Sequence, residues 1–445
     1  MLLFPKNKLK TSILRVASLF GFVQLVNFIF SIVRNKFIVL WLGPGGIGLI
    51  SLLNNALNLI ASGTDLGLPT ALIKDISKSE DTSKNNLIVN SLQLIIMLAF
   101  VTGLLTFLFA GLLAKVTFGD LSFKWMFQWM AVSVFFRQIV NCIRSIQQGV
   151  EDFRSIALAN IIYTVSGFVL TVPVYYFYRE EGIMASIVLL SITEFLSAVY
   201  FLKKLNLKLF WEKWSVFFDF SSKLVSKSYI FSVVSILSLV TNYLLGIYIT
   251  DNSDLQTYGY YSVIYIILNN YLGLIFTFFS YDYLPRLVKT DTAKLNGVLN
   301  DQIFLICGIM TIVSIVFILF PEFVLNLLYG SGSLSVSPIL KIAVLGMVFK
   351  SVSWCISFVI LAKSPQKVYF WIESIFNILF ICGSIYSFKL FKVEGIWLFW
   401  VAYYFIYLVT VYFVARISLN ISLKKSAGLI IASIFLVYLA YFLTK

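Results

Sequence analysis

The chain has 445 residues, 60% of them hydrophobic and 12% charged, with a net charge of +14 and no histidine. A soluble domain is about 45–50% apolar and about 25% charged, so a soluble enzyme, a secreted disulfide scaffold and a disordered chain are excluded. What remains is a polytopic membrane protein, in which imidazole metal sites, His-based triads and a His proton switch cannot occur.

Taken in chain order, Lys6, Lys8, Lys10 and Arg15 precede a long apolar run with no small-residue cleavage site, which reads as a retained first helix rather than a signal peptide. A span needs about 20 mostly apolar residues. The runs predict helices over 12–41, 45–77, 86–115, 123–148, 154–178 and 183–203 in the first half. In the second half they predict 221–250, 256–281, 300–320, 336–362, 367–389 and 393–416, with a thirteenth helix over 426–443. The runs 12–41 and 45–77 exceed a bilayer, so they must tilt, bend or project. Cys142, Cys307, Cys355 and Cys382 lie inside apolar runs without a CxxC pair and read as small core residues. The stretch 203–227 interleaves Leu, Phe and Trp with lysines, which suits an interfacial helix or a linker between two bundles.

Lys and Arg set the expected orientation. With the N-terminus cytoplasmic, the inner segments hold 22 of these cations and the outer segments 5. The positive charge is thus a topology signal, and no nucleic-acid partner is expected.

A duplication organises the chain. Shifted by 213 residues, Cys142-Ile143 falls on Cys355-Ile356, Arg154 on Lys367, and Glu181-Gly182-Ile183 on Glu394-Gly395-Ile396. Upstream the shift is 211, which brings Gly48 to Gly259, Ser51 to Ser262, Phe109 to Phe320 and Gly119 to Gly330. Six helices per half make the halves parallel, related by a pseudo-twofold axis along the membrane normal. The expected fold is therefore all-α and polytopic. An N-lobe spans 1–203, an interfacial cytoplasmic linker 204–220, a C-lobe 221–417, and a C-terminal tail with the extra helix 418–445.

Charges inside spans are expensive and face a cavity or a partner. The fourth helix carries Ser133, Arg137, Asn141, Arg144 and Gln148 at steps of three or four residues, on one face. Under the repeat, Arg137 coincides with Lys350. The first helix adds Gln24, Asn27, Ser31 and Arg34, with Lys36 just beyond, and the second adds Asn54, Asn58, Ser62 and Asp65. Asn160, Thr164 and Thr171 map onto Glu373, Asn377 and Ser384. Ser, Thr and Asn also serve simply as helix glue. The cations Arg34, Lys36, Arg137, Arg144 and Lys350 exceed the intramembrane acids Asp65, Glu194 and Glu373. This balance predicts a hydrated, net-positive lumen suited to an anion, phosphate above all, which Arg grips with two parallel bonds. Neutral Asn27, Asn54, Asn58, Asn141, Asn160 and Asn377 suit sugar hydroxyls.

These residues give the chain a family likeness. It resembles the multidrug/oligosaccharidyl-lipid/polysaccharide (MOP) flippase superfamily, close to bacterial O-antigen and polysaccharide translocases. The likeness rests on Arg34-Asn35-Lys36, then Leu42-Gly43-Pro44-Gly45-Gly46-Ile47-Gly48, and on Asp65-Leu66-Gly67-Leu68-Pro69-Thr70-Ala71-Leu72-Ile73-Lys74. Gln147-Gln148-Gly149 with Arg154, and Tyr283-Leu284-Pro285-Arg286-Leu287, complete it. The resemblance implies two six-helix lobes, alternating access, and export of an undecaprenyl-diphosphate-linked oligosaccharide across a bacterial inner membrane. It also implies membrane lipids and polysaccharide-assembly proteins such as a polymerase as partners. No catalytic group, metal or cofactor is expected. Coupling to H+ or Na+ occurs in the superfamily, so Asp65, Glu194 and Glu373 are either coupling groups or counter-ions. Three other readings stay open: a multidrug or cation antiporter of the same superfamily, a membrane-embedded glycosyltransferase, ligase or polymerase, and a lipid-packed scaffold with no transport.

Overall fold

The computed structural model describes residues 6–65, 67–79, 81–205, 229–423 and 427–444. Among the described residues every regular element is helical. Of the expected linker 204–220, only the first two residues fall within them.

The helices are α1 (Lys6–Thr64), α2 (Leu68–Lys78), α3 (Asp81–Leu108), α4 (Ala110–Phe118), α5 (Lys124–Gly149), α6 (Phe153–Tyr178), α7 (Gly182–Leu202) and α8 (Tyr229–Asp251). They continue as α9 (Leu255–Tyr265), α10 (Gly273–Lys289), α11 (Thr292–Leu319), α12 (Pro321–Tyr329), α13 (Ser337–Lys363), α14 (Gln366–Leu419) and α15 (Ala427–Leu443). Among the described residues eight helical stretches are long and apolar enough to cross a membrane. With the apolar side chains exposed along them, such as Phe100, Leu104 and Leu108 on α3, they make a multi-pass membrane protein. In lipid such exposure carries no penalty.

The local chemistry explains where helices start and stop. α1 breaks at Gly43, whose φ of 70° and ψ of −177° are open to glycine, directly before Pro44. This break separates the expected runs 12–41 and 45–77. The run 45–77 is interrupted again, because Gly67 takes a left-handed φ of 72° and Pro69 opens α2. Asp152 caps α6 by accepting from Ser155 N at 3.2 Å, and Asp254 caps α9 by accepting from Thr257 N at 2.6 Å. A π-helical turn over Ile266–Tyr271 joins α9 to α10.

The duplication reappears in the backbone. The run expected over 86–115 divides at Phe109 into α3 and the short α4, and α11 divides at Phe320 into α12. Shifting Asp81–Leu108 and Ala110–Phe118 by 211 gives the bounds of α11 and α12. Gly119 and Gly330, both with positive φ (68° and 81°), end these short helices. Arg179 and Lys392, 213 apart, share positive φ values of 51° and 52°, uncommon for residues with a Cβ.

The described residues form two compact units. One comprises 1–42 and 49–251, the other 43–48 and 252–445. The helix α8, expected in the second lobe, groups with the first unit. In the first unit α5 packs on α2, α3 and α7, around Leu72, Ile76, Ile88, Leu92, Ile143 and Ile146. In the second, α13 packs on α11 and α14, and α15 on α11.

Gly182 and Gly395, another pair 213 apart, each follow the unusual turn. A Cβ on Gly182 would lie 2.9 Å from the Val174 carbonyl oxygen, and one on Gly395 2.1 Å from that of Ser387, its repeat equivalent. Gly395→Ala is expected to destabilise the second unit by about 1–3 kcal/mol, the usual effect of overpacking. A thermal melt in detergent should show the larger loss for Gly395→Ala and the smaller for Gly182→Ala.

Candidate functional site

Arg137 and Arg144 of α5 point into a cavity of about 370 Å³ inside the first unit, lined from α1, α5, α6 and α7. The 3.6-residue period brings Arg137 and Arg144 to the same wall. α1 contributes Asn27, Phe30, Ser31 and Arg34, and α6 contributes Asn160, Tyr163, Thr164 and Phe168.

Glu194 of α7 closes the constellation. Its Oε2 lies 2.7 Å from Arg137 and its Oε1 2.6 Å from Arg144. The carboxylate is only 3% exposed, while the arginine side chains keep 30% and 34% of their surface open. Arg144 also donates to Asn160 Oδ1 at 2.9 Å. The Thr164 hydroxyl donates to Asn27 Oδ1 at 2.5 Å, tying α6 to α1. Arg34 has no carboxylate partner among the described residues, and its Nε is buried without a hydrogen bond. Three guanidiniums therefore face one carboxylate, in a chamber walled by Phe30, Phe168, Tyr163 and Leu190.

The other expected residues lie elsewhere. Lys36 is exposed and does not line this cavity. Asn54 spends its amide on the Ile50 carbonyl at 2.9 Å, and neither it nor half-buried Asn58 lines the cavity. Asn141 points to the other side of α5, where it donates to Asp65 Oδ2 at 3.0 Å. Asp65, 4% exposed, keeps its Oδ1 without a partner at the break between α1 and α2.

Lys350 and Glu373 belong to the second unit. Lys350 donates to Asn269 Oδ1 at 2.6 Å, an atom of the π-helical turn. The rings of Trp400, Tyr404 and Phe276 stand 5.1, 5.4 and 5.8 Å from its Nζ, a cation–π cage. Glu373 is bound by hydroxyls, from Tyr407 at 2.5 Å and Ser357 at 3.5 Å. Asn377 donates to the Glu373 backbone carbonyl at 2.8 Å. Tyr163, Phe30, Phe168 and Leu190 were not singled out in the sequence, since an apolar or aromatic residue in a span carries no polar signal.

A family model for polysaccharide biosynthesis proteins matches residues 13–291. The chain belongs to the polysaccharide biosynthesis protein family. No curated protein matches it. Among solved structures, an inward-facing multidrug resistance MATE family transporter of the MOP superfamily superposes with a TM-score of 0.74 at 13% identity, covering 91% of this chain and 96% of that one. The lipid II flippase MurJ, in an inward closed conformation, gives 0.69 at 13% identity over 97% and 93%. A MOP superfamily transporter from Pyrococcus furiosus, described as having a binding pocket of reverse polarity, gives 0.67 at 13% identity over 92% and 96%. This member of the polysaccharide biosynthesis family thus has the fold of MOP superfamily transporters.

Proposed function

We infer that the protein is a flippase for a lipid-diphosphate-linked oligosaccharide, an O-antigen or related surface-glycan unit. It moves this cargo from the cytoplasmic to the outer leaflet of a bacterial inner membrane by alternating access, with its own N-terminus cytoplasmic. The observation that carries the reading is the cavity in the first unit, where Arg34, Arg137 and Arg144 outnumber Glu194. Guanidiniums favour phosphate. Asn27, Asn160 and Thr164 suit sugar hydroxyls, and the aromatic walls suit sugar faces. The family and the fold shared with a lipid II flippase support it. The fold is also that of a multidrug transporter, but a net-positive chamber repels the cationic compounds such a transporter would carry. The polymerase and other assembly proteins that use the glycan are the natural partners.

The test is a strain lacking the protein, complemented with variants. Loss should leave lipid-linked oligosaccharide on the cytoplasmic leaflet and drug susceptibility unchanged. Arg34 makes no ion pair among the described residues, so Arg34→Ala should keep its melting temperature. It should weaken inorganic pyrophosphate binding by about 10- to 100-fold, the worth of one charge-assisted bond of about 1.5–3 kcal/mol. Altered drug susceptibility with intact surface glycan would reject the reading.

A further inference from the structure

Glu194 occupies the seat that a phosphate would take. Its two oxygens bridge Arg137 and Arg144 at 2.7 and 2.6 Å, and carboxylate and phosphate offer a guanidinium the same paired oxygens. Arg144 is also anchored by Asn160 Oδ1 at 2.9 Å, so it stays in place if Glu194 lets go. Arg34 lines the same chamber with its buried Nε unpartnered.

We propose that Glu194 is a built-in competing anion that sets how fast the phosphate leaves. The incoming phosphate meets Arg34 and takes Arg144 over from Glu194. The Arg137–Glu194 pair persists, so the buried carboxylate is never left alone. On release, Glu194 closes back onto Arg144. A carrier must bind its cargo tightly enough to capture it and weakly enough to let go, as a pore must. Three unopposed guanidiniums would hold a diphosphate too long. A resident carboxylate weakens that grip by competition and by like-charge repulsion. The inference rests on the diphosphate reading above.

The experiment titrates inorganic pyrophosphate onto the purified full-length protein by calorimetry, and measures flipping of a lipid diphosphate in vesicles. Glu194→Gln keeps the side-chain shape and removes the charge. It should bind pyrophosphate about tenfold tighter, ~1.4 kcal/mol, while KM and kcat for flipping both fall. A merely structural role would instead weaken binding and leave KM unchanged or raised. Weaker or equal binding by Glu194→Gln overturns the proposal. Should that variant not accumulate, Glu194→Asp, too short to bridge both arginines, must bind tighter than the native protein, and failure to do so overturns it equally. No pyrophosphate binding by the native protein would reject the diphosphate reading itself. Native binding with a weaker Glu194→Gln would reject only the role of Glu194.

Discussion

Exchanging Arg137 and Arg144 together for Gln should abolish glycan export and lower the melting temperature; adding Glu194→Gln should restore the second property and not the first. The carboxylate is 3% exposed and has both its ion pairs from these two arginines. Removing the cations strands a buried charge, which typically destabilises by about 3–5 kcal/mol. Neutralising it relieves the penalty, because an uncharged amide among glutamines can be hydrogen-bonded. On the flippase reading export does not return, because of the three cavity guanidiniums only Arg34 remains. Protein level in membranes, melting temperature and surface glycan measured on the native, double and triple variants separate stability from transport. Export by the triple variant at the native rate would show that these guanidiniums do not carry the cargo.

Gly259→Ala is expected to be strongly destabilising. Its Cβ would lie 2.0 Å from the Pro44 carbonyl oxygen, inside the unit that contains both 43–48 and 252–445. From the facing side, a Cβ on Gly48 would lie 2.4 Å from the Leu255 carbonyl oxygen. Both obstacles are backbone atoms, which cannot rotate aside as a side chain does. Small residues let helix backbones meet this closely in a membrane. The effect should reach or pass the upper end of the about 1–3 kcal/mol usual for overpacking, seen as poor accumulation or a large fall in melting temperature. Gly111→Ala is the control, since its Cβ would meet only side-chain carbons at 3.8 and 3.9 Å. Equal behaviour of the two variants would show that the close approach does not matter.

Much of this was legible in the sequence because hydropathy and periodicity are local. The repeat pairs Gly119 with Gly330, and both end short helices at a positive φ. Glu181-Gly182 and Glu394-Gly395 were paired and follow the same turn. The short helices α4 and α12 were hidden. Each continues an apolar run across Phe109 or Phe320, and only the second break is marked, by Pro321 directly after it. The cationic face of α5 followed from its spacing. Its partner did not, because Glu194 lies 57 residues beyond Arg137 in the chain and meets it only through the packing of α5 on α7. Asn141 shares a nominal face with Arg137 and Arg144, yet reaches Asp65. A stripe at three- and four-residue steps drifts around the helix, and its members divide between two neighbours.

Backbone oddities recur across the duplication, from the short helices to the positive φ of Arg179 and Lys392. Linings do not: Arg137 sits in a carboxylate clamp, while its counterpart Lys350 sits among three rings. The framework thus recurs in both halves, whereas among the described residues the double arginine–carboxylate clamp occurs in the first. A substitution at Lys350 is therefore not expected to reproduce the effect of the matching one at Arg137.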